Sequence, residues 1–85
     1  MEIVFSPESL EDLQFWKQSG NVKIQNRIEK LLESIKETPY EGLGKPEALK
    51  YNWFGYWSRR INQEHRLIYK WENEKIIIAQ LRNHY

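Results

Sequence analysis

Between Asn21 and Thr38 the apolar residues Ile24, Ile28, Leu31, Leu32 and Ile35 fall at i, i+4, i+7, i+8 and i+11, a continuous stripe along one helix. A helix that is apolar on one side needs another layer to cover that side. A first helix precedes it: "SPES" places Ser6 at the N-cap, Pro7 at the first helical position and Glu8 at the positive dipole end. That helix runs to Gly20, with Leu10, Leu13 and Trp16 at helical spacing; Asn21 caps the second, and Thr38 and Pro39 end it. "EIVF" reads as a short opening strand. After the loop "YEGLGKP" come four strand-like runs, "EALKYN", "YWSRRI", "HRLIYKW" and "KIIIAQLRNHY", joined by connections short enough for hairpins. The order β-α-α-β-β-β-β predicts one α+β domain over residues 1–85, with two N-terminal helices packed on one face of a twisted, mainly antiparallel β-sheet. The other sheet face is left to carry chemistry.

The chain of 85 residues has no cysteine, which removes a disulfide framework, thiol catalysis and thiolate metal sites together. The opening "MEIVFSPESLEDL" does not read as a signal peptide, and the longest later apolar run, "IIIA", cannot span a membrane. A cytoplasmic, soluble protein is expected. Net charge is only +1, yet residues 1–42 hold five Lys/Arg against eight Asp/Glu while residues 43–85 hold eight against four. The second half is therefore the candidate anion-binding half.

A three-residue "NQE" loop would pair Ile61 with His65 and set Arg60 directly opposite Arg66. Two cations facing each other destabilise a ladder unless an anion sits between them. A three-residue "ENE" loop would place Ile68 opposite Ile78 and Arg66 opposite Gln80, with Arg82 and His84 on the same face; Ile68, Ile76 and Ile78 would share that face, and Leu67, Tyr69 and Ile77 the other. Arg59, Arg60 and Arg66 cluster across one hairpin, and guanidinium forks match phosphate oxygens. Cleaving RNA through its own 2′-hydroxyl requires a base for that hydroxyl, an acid for the leaving 5′-oxygen and cations for the phosphorane. Glu47, His84 and the arginines are one of each. No metal or cofactor is required by that list, and two histidines without cysteine argue against a dedicated zinc site. Trp53, Phe54, Tyr56 and Trp57 crowd one hairpin, where they could stack on bases, although a domain this short of core favours packing for most of them. Tyr85 could stack on a base or supply a phenol hydrogen bond.

The run "EGLGKPEALKYNWFGYWSRRINQEHRLIY", the preceding "ETPYEG" and the terminal "RNHY" resemble the YoeB-type toxins of the RelE superfamily over essentially the whole chain. The resemblance implies a microbial-ribonuclease-like fold and a toxin of a bacterial type II toxin-antitoxin pair that cleaves mRNA in the ribosomal A site without metal, halting translation. It implies Glu47 as general base, His84 as general acid, Arg66 stabilising phosphate charge, Arg60 assisting phosphate binding, and Tyr85 holding or stacking on the substrate nucleotide. Lys50 and Arg59 would be additional contacts to RNA or the ribosome. None of the principal positions departs from the family pattern. The implied partners are the 70S ribosome, mRNA, a YefM-like antitoxin whose C-terminal segment folds onto the toxin, and a second toxin copy in a homodimer. Two alternatives share parts of this pattern: a ParE-like gyrase poison, and a non-catalytic RNA- or ribosome-binding module. The set Glu47, Arg66, His84 and Tyr85 argues against the gyrase poison, which has no need of an acid-base pair, whereas for a plain binder the arginines would suffice.

Overall fold

Ser6 begins the first helix by accepting the Ser9 N–H on its hydroxyl at 3.1 Å. In this computed structural model, which describes residues 2–82, strand β1 (Glu2–Phe5) leads through that cap into helix α1 (Pro7–Ser19), which Gly20 ends in the left-handed region at φ 74°. Helix α2 (Val22–Glu37) starts where the Asn21 side chain accepts the Ile24 N–H at 3.0 Å. Its stripe behaves as expected, with Ile24, Ile28, Leu31 and Ile35 buried and Leu32 at the core margin. The α1 stripe is only partly realised: Trp16 is buried, but Leu10 is 53% exposed.

Strands β2 (Glu47–Ala48), β3 (Trp57–Arg60), β4 (Arg66–Glu72) and β5 (Lys75–Gln80) join β1 in a five-stranded sheet ordered β1-β5-β4-β3-β2. All pairs are antiparallel except β1 with β5. The fully apolar "III" of β5 fits this position, because β5 lies inside the sheet between β1 and β4. The run "EALKYN" is less of a strand than its sequence suggests. It pairs for two residues and then coils into a 3-10 turn at Tyr51–Trp53, where Tyr51 takes φ 58°.

The β3–β4 register is the expected one: Arg60 faces Arg66, and the Ile61 N–H donates to His65 O at 3.0 Å. The β4–β5 register is not. Glu72 pairs with Lys75 across a two-residue turn, Asn73-Glu74, with φ 53° and 61°. Both signs are those of a type I′ turn, whose twist matches that of the flanking strands better than a three-residue loop does. Tyr69 consequently faces Ile78, and a bulge then sets Ile68 opposite Gln80. The expected pairs Ile68–Ile78 and Arg66–Gln80 do not form. Ile76 and Ile78 join Leu67 and Tyr69 beneath the helices instead of sharing the arginine face.

Alternation along β3 also separates the two adjacent arginines. Arg60 is exposed, whereas Arg59 points to the helix side with Leu67 and is 0% exposed. All five of its N–H groups are used. Nε donates to Tyr69 Oη (3.1 Å), Nη1 to Ser34 Oγ (2.7 Å) and Leu43 O (3.0 Å), and Nη2 to Thr38 O (2.6 Å) and Glu41 O (2.9 Å). Arg59 thus ties the 38–43 loop and the end of α2 to the sheet, and the expectation that it contacts RNA is corrected by its burial. The loop's glycines serve the same close approach: a Cβ on Gly42 (φ 112°) would meet Ser34 Oγ at 2.7 Å, and one on Gly44 (φ 86°) would meet Leu31 Cδ2 at 2.8 Å. Burial raises the Tyr69 phenol above its usual pKa, against the lowering influence of the Arg59 hydrogen bond and charge.

Candidate active site

On the sheet face turned away from the helices, cross-strand pairing builds a row: Glu47 beside Ser58, Ser58 beside Ile68, Ile68 beside Gln80. The next row on β3 and β4 is Arg60 beside Arg66. With strands about 4.8 Å apart and about 7 Å between same-face residues along a strand, the Cα atoms of Glu47 and Arg66 are roughly 12 Å apart. Side chains of those lengths can reach a common phosphate from two sides. Glu47 is exposed at this face, and residues 47–53 line a cleft of about 620 Å³ that includes Glu47 and Lys50.

Arg66 is held in place by its own hairpin. Its Nη1 donates to the carbonyls of Asn62 (2.8 Å), Gln63 (3.2 Å) and His65 (3.1 Å). The Asn62 side chain shapes that turn by accepting the N–H groups of Glu64 (2.9 Å) and His65 (2.7 Å). Three carbonyl dipoles on one nitrogen fix the guanidinium plane, so an anion need not order it. Arg60 beside it places a second positive charge on the same face, at a like-charge cost that a bound anion would offset.

Helix α1 clamps the chain where it leaves β5. Ser6 Oγ donates to Ala79 O (2.9 Å), Leu81 N donates to Asp12 Oδ2 (2.9 Å), and Trp16 Nε1 donates to Leu81 O (2.9 Å). Trp16 also meets the ring of His65 edge to face at 4.9 Å, linking this clamp to the Arg66 hairpin. The Arg82 guanidinium lies 3.7 Å above the Phe15 ring of α1, which takes it to the helix and away from the Arg60–Arg66 pair it was expected to join. His84 and Tyr85 lie outside the described residues, three and four positions beyond the doubly anchored Leu81. Among the described residues no three His, Cys, Asp or Glu side chains gather in a way that could hold a metal ion, and no helix is long and apolar enough to cross a membrane.

The profile of the YoeB-like toxins of bacterial type II toxin-antitoxin systems matches residues 5–85. The chain belongs to the YoeB toxin family. It is 42% identical over 85 residues to Toxin YoeB of Escherichia coli (strain K12) and 44% identical over 85 residues to Toxin YoeB of Streptomyces coelicolor, in each case covering 100% of both chains. Among solved structures, a YoeB/ParE toxin from Agrobacterium tumefaciens superposes with a TM-score of 0.96 at 39% identity, covering 100% of both chains. The YoeB dimer from Staphylococcus aureus gives 0.90 at 45% identity, covering 100% of this chain and 98% of that one, and the same toxin has been solved in a heterotetrameric YoeB–YefM complex. As a YoeB-family member this chain is a toxin of the type II toxin-antitoxin class.

The fold therefore brings Glu47, Arg60 and Arg66 to the face away from the helices, sets Lys50 in the cleft it shares with Glu47, and takes Arg59 and Arg82 elsewhere. Sequence reasoning missed Asp12, Trp16 and Asn62, which act through backbone groups. The start signal "SPES" gives no hint of a role for Asp12, and only the β5–α1 contact shows that its carboxylate accepts the Leu81 N–H.

Proposed function

We propose that this toxin is an endoribonuclease that cleaves mRNA in the A site of the ribosome by attack of the 2′-hydroxyl on the adjacent phosphate. Glu47 takes the 2′-hydroxyl proton as the new O–P bond forms. The bond from phosphorus to the 5′-oxygen breaks, and His84 delivers a proton to that oxygen, leaving a cyclic phosphate on the upstream product. Arg66, with Arg60 beside it, stabilises the charge that develops on the phosphorane; Tyr85 holds the nucleotide, and Lys50 provides a further RNA contact. No step calls for a metal or cofactor.

The observation that carries this reading is the sharing of one sheet face by Glu47 and the paired arginines, with Arg66 braced by its hairpin before any substrate arrives. Leu81, anchored at both its N–H and its carbonyl, gives the segment bearing His84 and Tyr85 a defined starting point. By family likeness the partners are a YefM-type antitoxin, which neutralises the toxin, and a second toxin copy. The site of action is the cytoplasm, where ribosomes are.

Primer extension on a defined mRNA, alone and on programmed ribosomes, tests this with the intact toxin and His84→Gln. Ribosome-dependent cuts within the A-site codon that disappear in the variant are expected. Equal cutting by the variant removes His84 as the acid. Growth arrest without cuts points instead to a gyrase poison or a plain ribosome binder.

A further inference from the structure

The β2–β3 hairpin carries a crowd of aromatic residues, and the structure divides them. Trp53 and Tyr56 are half-buried and meet edge to face at 5.1 Å, and Trp57 packs at the core margin. Tyr51 and Phe54 remain outside, 91% and 84% exposed. Such exposure of an aromatic ring has no stabilising role in the isolated domain.

Tyr51 differs from Phe54 in two respects. It sits at φ 58°, a conformation bulky L side chains seldom adopt, while Phe54 has an ordinary φ of −54°. It also lines the cleft that runs from Glu47 to Trp53, and Phe54 does not. The turn that imposes this conformation is tightly closed. The N–H groups of Trp53, Phe54, Tyr56 and Leu49 donate to the carbonyls of Lys50 (3.1 Å), Tyr51 (3.0 Å), Trp53 (2.9 Å) and Tyr56 (2.9 Å). The backbone is thus fixed with a ring directed out of it, where a glycine would satisfy the turn without strain.

We infer that Tyr51 is a stacking platform for a nucleobase of the mRNA beside the scissile phosphate, held in the cleft it shares with Glu47 and Lys50. This rests on the ribonuclease reading and deepens it. The cleft's composition fits an unpaired nucleotide: an aromatic face for the base, Lys50 for a phosphate oxygen, and Asn52 with donor and acceptor groups for a base edge. Its position fits as well. Tyr51 lines the same cleft as the proposed base Glu47, so a nucleotide stacked there presents its neighbouring phosphate to the Glu47–Arg66 face.

The test is binding of the full-length toxin to ribosomes programmed with an mRNA whose A-site codon carries 2′-O-methyl sugars, so that affinity is read without cleavage. A parallel mRNA carries abasic residues at the same positions. Tyr51→Gly and Tyr51→Asn, both at ease with a positive φ, should keep the wild-type melting temperature and weaken binding to the intact codon by about tenfold or more. Tyr51→Phe keeps the ring and should bind within about twofold of wild type, as should Phe54→Ala, since stacking needs only the π face at the cleft. On the abasic mRNA, wild type and Tyr51→Gly should bind alike. Equal affinity of wild type and Tyr51→Gly on the intact codon would overturn the stack and leave the ribonuclease reading standing. A Tyr51→Gly loss that persists in full on abasic mRNA would also overturn it, assigning the ring to ribosomal RNA or protein. Absence of wild-type binding to any programmed ribosome would overturn both.

Discussion

Replacing Arg59 by Met separates a structural arginine from an RNA-binding one. Five acceptors lose their donor: Tyr69 Oη, Ser34 Oγ and the carbonyls of Leu43, Thr38 and Glu41. Glu41 and Leu43 belong to exposed residues, so their carbonyls can turn to water; the other three belong to buried or half-buried residues. Each of these three keeps a second partner, since the Tyr69 hydroxyl donates to Pro39 O, the Leu43 N–H to Ser34 Oγ and the Glu41 N–H to Thr38 O. The loss is therefore that of three bonds to a charged donor, about 1.5 kcal/mol each and roughly 3–5 kcal/mol together. A domain of this length has on the order of 4–13 kcal/mol in total, so the variant should be folded only marginally. Urea unfolding followed by tryptophan fluorescence should show the midpoint falling by about 2–3 M, taking a slope near 1.5 kcal/mol/M. Arg59→Lys should recover little, because an ammonium on a flexible stem cannot serve five acceptors arranged around a planar fork. A midpoint shift below about 0.5 M together with lost cleavage would refute the reasoning, and would return Arg59 to the RNA-contacting role proposed for its neighbour Arg60.

The Tyr69 phenol is kept protonated by burial, so the folded state holds its proton at pH values where the unfolded chain, with its pKa near 10, has released it. Its contribution is therefore present below about pH 10 and declines as pH rises above that value; the stability gap between wild type and Tyr69→Phe, measured by urea titration, should narrow over that range. Asp12→Ala strands the Leu81 N–H, and should cost about 1–3 kcal/mol in stability while lowering the single-turnover cleavage rate more than ribosome affinity. A loss of affinity with an unchanged rate would count against Leu81 as the anchor of the terminal segment. A C-terminal affinity tag, which extends the chain past Tyr85, should depress cleavage more than the same tag at the N-terminus, as read by primer extension on programmed ribosomes.

Much of the framework is legible in the sequence. The α2 stripe, the Ser6 and Asn21 caps and the Arg60–Arg66 pairing depend on residues near one another in sequence, where periodicity, capping chemistry and hairpin geometry act directly. The second hairpin was misread because Asn73 and Glu74 together adopt positive φ, which Asn favours and Glu does not, so the sequence resembles a longer loop. That one-residue difference sends Ile76 and Ile78 to the helix side and leaves Ile77 on the other.

The sequence by itself determined the family, the α+β order of elements and the residue types a metal-free phosphate chemistry would use, because those rest on local pattern and identity. Only the tertiary structure decided which arginine serves which purpose. Arg59 and Arg60 are adjacent and chemically identical, and one is walled into a cage of carbonyls while the other stands over the sheet, because strand alternation sends them to opposite faces and the 38–43 loop covers only one. The anchoring of Leu81 by Asp12 and Trp16 was equally hidden. It joins positions more than sixty residues apart through backbone groups that every residue possesses, and such contacts leave no mark in composition or periodicity.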